Sequence, residues 1–160
     1  MNIRPATQDD VEFLKRMLYE AARWNPDWPT EPIESVLEEP MLHRFYDGWG
    51  RPGDAGVIAE LDGVPVGAAW YRLFTREEPG YGFVDEKIPE LGLAVDPLHR
   101  RKGIGGTLLR ALMVQAREEG FQSLSLSVAV HNRSRMMYQR VGFERLSEDE
   151  GGSWTMVVNL

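Results

Sequence analysis

Residues 93–112 read LAVDPLHRRKGIGGTLLRAL, and the order of residue types in them decides the fold. Leu93, Ala94 and Val95 close an apolar run, and Asp96-Pro97 turns the chain. Arg100, Arg101 and Lys102 follow, directly before Gly103, Gly105 and Gly106. From Ile104 the apolar residues Leu108, Leu112 and Ala116 recur at helical spacing, and Gly120 supplies a C-terminal stop. A strand, a basic glycine-rich turn and an amphipathic helix therefore succeed one another. N–H groups in a helix's first turn are unpaired and carry partial positive charge, so they bind phosphate oxygens. Glycine permits close approach of backbone to ligand, and each glycine weakens a helix by about 0.5–1 kcal/mol relative to alanine. An ordinary charged turn ahead of a packed helix has no need of three. The segment reads as a seat for an anion.

Two well-known glycine loops do not fit it. A P-loop requires G-x-x-x-x-G-K-[ST], but Thr107 follows Gly106 with no lysine between them. A dinucleotide fingerprint requires G-x-G-x-x-G after the first strand of a βαβ unit. Here Leu108 holds the third glycine position, two thirds of the way along the chain.

Composition narrows the rest. The chain has 160 residues, 42% hydrophobic and 27% charged, which suits one globular domain over 1–160 with a sizeable core. It has no cysteine, which excludes disulfides, thiolate metal sites and a cysteine nucleophile, and is compatible with a cytoplasmic location. The net charge of −7 argues against a general nucleic-acid binder and favours a cationic substrate such as an amine. No apolar run is long enough to span a bilayer, and MNIRPATQDD lacks the apolar centre of a signal peptide. No metal is expected.

Outward from the opening segment, the elements alternate. Asn2–Pro5 reads as a strand. Thr7 caps a helix carrying Val11, Leu14, Leu18 and Ala22 on one face. Residues 33–46 read as a second helix, interrupted or kinked at Pro40. Val57–Leu61 and Val64–Phe74 form a hairpin about Asp62-Gly63. Thr75–Lys87 is a long loop, and Ile88–Val95 a strand. In Phe121–Val130, Leu124, Leu126 and Val128 face opposite to Ser123, Ser125 and Ser127. A short helix over 132–141 and two closing strands complete a mixed α/β pattern with no domain break.

LAVDPLHRRKGIGGTLL resembles the signature of the GCN5-related N-acetyltransferases, Arg/Gln-x-x-Gly-x-Gly/Ala, through Arg100, Gly103 and Gly105. HNRSRMMYQRVGFE resembles the family's second motif through Asn132, Tyr138, Gly142 and Phe143, with Ser134 where alanine is usual. The resemblance implies a mostly antiparallel sheet of six to seven strands, splayed at its central strands and flanked by about four helices. It implies acetyl-coenzyme A as co-substrate. The pyrophosphate would lie on Arg100, Arg101, Lys102 and Gly103 and on Ile104, Gly105, Gly106 and Thr107. The pantetheine arm would pair with the backbone of Leu93, Ala94 and Val95, and Asn132, Ser134 and Tyr138 would complete the contacts.

The implied reaction is direct attack of a primary amine on the thioester. Tyr138, with a phenol pKa near 10, stays protonated at neutral pH and suits the acid that protonates the leaving thiolate; otherwise it is a core aromatic. Glu90 is the candidate base, one residue out of the family's register, an offset that a β-bulge would absorb; otherwise it is a solvated strand-end charge. Gly92 and Ala94 read either as an open groove or as room for an overlying helix. Asn132 reads as a helix cap or a ligand contact, and His99 and His131 as exposed loop residues. The acceptor is a small molecule or a peptide, lined by aromatics among Trp24, Trp28, Tyr46, Trp49 and Tyr81. Glu77, Glu78, Asp85 and Glu86 are available to attract it. A module that binds acyl-coenzyme A with little turnover is the alternative, and a homodimer through the last strands is possible.

Overall fold

The computed structural model describes Met1–Leu160. The chain runs β1 (Asn2–Pro5), α1 (Val11–Ala22), α2 (Ile33–Leu37), α3 (Pro40–His43), β2 (Ala55–Leu61), β3 (Val64–Arg72) and β4 (Glu90–Val95). It continues α4 (Ile104–Glu118), β5 (Ser123–Ala129), α5 (Ser134–Arg140), β6 (Glu144–Glu148) and β7 (Ser153–Asn159). The strands make one sheet in the order β1-β2-β3-β4-β5-β7-β6. Every neighbouring pair is antiparallel except β4 and β5. Those two run parallel and meet at a single register pair, Glu90 opposite Ser125. Beyond it they part, which is the splay the resemblance implies.

Both faces of the sheet are covered, so alternating residues of a central strand enter two different cores. On one face α4 buries Leu108, Leu109, Leu112 and Ala116 against Leu91, Leu124, Leu126 and Met156. On the other, Leu14, Met17 and Leu18 of α1 pack with Val36 and Leu37 against Ile58, Trp70 and Ala94. Each fully buried leucine contributes about 1.5–3 kcal/mol. Ser125 lies on the polar side of the β5 alternation yet is fully buried, so that face is covered as well, with the Gly80–Gly82 segment lying against neighbouring Glu90, Leu126 and Ser127.

Local chemistry sets the element ends. Thr7 and Asp10 form a capping box around a 3-10 turn, and Arg4 pairs with Asp10 at 2.8 Å. The expected helix over 33–46 is interrupted at Pro40, giving two short helices that end at His43. Proline lacks the N–H that a helix interior needs, so Pro40 opens α3 instead of continuing α2. Arg72, fully buried on β3, makes paired bonds to Asp54 at 2.9 and 2.7 Å and donates to the carbonyls of Arg44 and Asp47. This ties the Arg44–Asp54 segment to the sheet.

Candidate active site

The gap between β4 and β5 is lined by β4 backbone, and alternation decides which groups face it. Pro89 C=O accepts from Ser125 N–H on the β5 side, and Asp96 N–H donates to Val66 on the β3 side. Polar groups of odd-numbered β4 residues therefore face the gap. Leu93 presents its N–H and C=O there, and Val95 its N–H, while the Val95 carbonyl accepts from Arg100 Nε at 2.9 Å. The polar groups of Ala94 face β3. The β3–β4 register is regular from Gly67↔Val95 to Arg72↔Glu90, so β4 has no bulge; the irregularities fall at Ala59/Glu60 and Arg145/Ser147. The face of Gly92 is not an open groove. The Trp70 indole fills it, and a Cβ on Gly92 would stand 2.5 Å from that ring.

The gap leads to the basic turn. Arg101 adopts φ +63° and Gly103 φ +81°, the left-handed region that favours glycine. A Cβ on Gly103 would meet nothing within 4 Å, so the conformation rather than crowding calls for glycine there. Gly105 serves packing, with Met137 Sδ 3.3 Å from where its Cβ would be. Arg101 and Lys102 are exposed at the mouth. The Arg100 side chain stays partly exposed, but its guanidinium donates to Val95 C=O and to Glu20 at 3.3 Å, which braces the turn. Thr107 Oγ1 donates to Gly103 C=O at 3.1 Å. The N–H groups of Ile104, Gly105 and Gly106 begin α4 and have no partner earlier in the helix. Left-handed glycine, unpaired first-turn N–H groups and flanking cations suit a diphosphate. No cluster of three or more His, Asp or Glu is placed to hold a metal.

Across the gap, Asn132 Oδ1 accepts from Ser134 N–H at 2.9 Å, so it caps α5. Tyr138 is 6% exposed and packs edge-on against Phe143 at 5.7 Å. Burial alone pushes its phenol above the usual range, so it stays protonated.

Glu90 is not a solvated strand-end charge. It is 3% exposed, and burial pushes its carboxyl up to about 8 from an ordinary 4.5, with one opposing bond from Gly82 N–H at 2.9 Å. Sequence reasoning missed two of its surroundings: buried Ser125 beside it, and the close-lying Gly80–Gly82 segment. The spacing GYG at 80–82, set in a loop just before the central strand, was the available signal.

The aromatics of the acceptor regions do not line one slot. Trp24 packs edge-on against Trp28 at 5.2 Å, Tyr46 Oη donates to Leu37 C=O, and Trp49 lies under Arg72. Tyr81 alone is both half-exposed and near Glu90. Asp85 and Glu86 bond within their own loop, to Lys87 N–H and Arg76 N–H. His131 is exposed, as expected, whereas His99 is half-buried with an unpartnered Nδ1. A cleft of about 730 Å³ lies outside the gap, between α3 and the segment after β3, lined by Glu38, Arg44, Asp47, Phe74, Glu78 and Glu86 among others.

Fold and site together define a class: an α/β protein whose parallel central strands part toward a helix start suited to phosphate. The model of the Acetyltransferase (GNAT) family matches residues 17–143, and the chain belongs to that family. It is 31% identical over 144 residues to mycothiol acetyltransferase of Propionibacterium freudenreichii, covering 89% of this chain but 43% of that protein. The chain thus spans less than half the length of that relative. A ribosomal-protein-alanine N-acetyltransferase from Brucella melitensis shares the fold with a TM-score of 0.70, 25% identity and full coverage of both chains. PaiA N-acetyltransferase from Thermoplasma acidophilum, solved in complex with coenzyme A, matches with a TM-score of 0.72 and 20% identity, again over both full chains.

Proposed function

We propose that this chain transfers the acetyl group of acetyl-coenzyme A to a primary amine by direct attack in a ternary complex. The observation that carries the reading is the parting of β4 and β5 directly before left-handed Gly103 and the start of α4. When bound, the co-substrate supplies an activated thioester carbonyl. The N–H groups of Leu93 and Val95 would hold its arm and offset negative charge developing on the carbonyl oxygen. Gly103 to Thr107 would seat the diphosphate, with Arg101 and Lys102 adding charge. Tyr138 holds a proton for the departing thiolate. Glu90, at about 8, takes the proton of the amine when ionised.

The acceptor is a small molecule or a peptide, and both kinds occur in the names of its relatives: mycothiol in one, a ribosomal-protein alanine in another. The lack of cysteine supports a cytoplasmic setting, and no helix is long and apolar enough to cross a membrane. Residues 1–160 act as one domain on this reading, and the exposed edge strand β6 is where a second copy would pair.

Melting with and without acetyl-coenzyme A tests the binding step, with about 2.7 kcal/mol of stabilisation expected at 100 times the dissociation constant. Thiol release with a panel of amines tests turnover. No stabilisation refutes the reading. Stabilisation without thiol release favours the binding module instead.

A further inference from the structure

Two buried oxygens where β4 and β5 meet have no hydrogen-bond partner: Glu90 Oε1 and Ser125 Oγ. The two residues are register partners across the one parallel contact, so their side chains leave the sheet on the same face. Burying such an atom unpaired carries the full cost of removing it from water. Native folds rarely keep two side by side without a use.

A strap, Pro79–Gly82, lies over them. Arg44 Nη1 donates to Pro79 C=O at 2.9 Å, the Tyr81 ring stacks on Phe45 at 6.1 Å, and Gly82 N–H donates to Glu90 Oε2. A Cβ on Gly80 would collide with Glu90 Oε1, and one on Gly82 with the backbone of Leu126 and Ser127. The glycines thus let the strap close directly onto the base of the gap. Its outer side borders the 730 Å³ cleft through Arg44 and Glu78, and carboxylates at Glu38, Asp47 and Glu86 on that rim favour a cation.

We propose that Ser125 Oγ and Glu90 Oε1 together receive the nitrogen of the acceptor amine beneath this strap, and that Ser125 sets its position. The inference rests on the transferase reading above. A primary amine has two N–H donors, one for each unpaired oxygen, and keeps its lone pair for the gap. A tertiary amine has at most one donor, protonated or not, and leaves an oxygen orphaned. The acceptor class is therefore an unhindered primary amine that enters from the cleft as the strap lifts.

The test uses the full chain with coenzyme A, titrated with ethylamine and, for comparison, trimethylamine. The Glu90 side-chain carbon resonance is the readout, assigned with Glu90→Gln. Ethylamine should shift it, trimethylamine should not, and Ser125→Ala should weaken ethylamine binding about tenfold. Ser125→Ala should melt no lower than the parent, because its hydroxyl makes no bond to lose; a purely structural serine predicts the reverse. An unmoved resonance, equal affinity for the two amines, or equal affinity of parent and variant overturns the proposal. The parent titrations decide the matter even where the variant does not fold. Stabilisation by acetyl-coenzyme A, read on the same samples, separates the two ideas. Its loss refutes the transferase reading, whereas its retention with an unmoved Glu90 signal refutes the amine seat alone.

Discussion

Replacing Glu90 by glutamine should abolish most of the loss of stability that this fold suffers on going from pH 5 to pH 8. Glu90 is buried with one hydrogen bond, and its carboxyl rises from an ordinary 4.5 to about 8. Between those values the folded chain binds a proton that the unfolded chain has released. Stability from this group is therefore complete below pH 4.5 and is lost as pH rises through about 8. Each tenfold change in proton affinity is worth about 1.4 kcal/mol, so from pH 5 to pH 8 the parent should lose about 3–4 kcal/mol through Glu90. Glutamine keeps the shape and still accepts from Gly82 N–H, but it does not titrate. Urea unfolding of both proteins at the two pH values measures the difference. Parallel pH dependence in parent and variant would refute the assignment of a neutral, enclosed carboxyl at neutral pH.

Other perturbations separate chemistry from scaffold. Tyr138→Phe should lower kcat at least a hundredfold, with the melting temperature nearly unchanged, if the phenol is the acid; stopped thiol-release assays and a melt decide. Asp54→Ala strands the Arg72 charge in the interior and should cost about 3–5 kcal/mol in a urea titration. Gly103→Ala meets no neighbour but must hold a positive φ, so it should cost about 1 kcal/mol and weaken acetyl-coenzyme A binding in calorimetry.

Periodic and positional signals reported themselves in the sequence. Helical spacing from Ile104 to Ala116 and two-residue alternation in 124–128 encode which face each element buries, because those periods belong to the backbone itself. The basic glycine turn encodes an anion seat because first-turn N–H groups and positive φ are local properties. Non-local properties escaped. Glu90 looks like a strand-end charge until the Gly80–Gly82 strap, eight to ten residues upstream, folds onto it. Gly92 looks like an open groove until Trp70 of the neighbouring strand fills it. Ser125 looks like the wet side of an alternation until a second layer covers that face. Arg72 and Asp54, eighteen residues apart, show no local pattern at all.

The sequence by itself determined most elements, the apolar faces they bury and the anion-binding turn, since each follows from neighbours within about four positions along the chain. Only the tertiary structure decided the environment of the proton-handling groups. Proton affinity depends on how much water and charge surround a carboxyl, and those surroundings are brought in from distant segments when the chain folds.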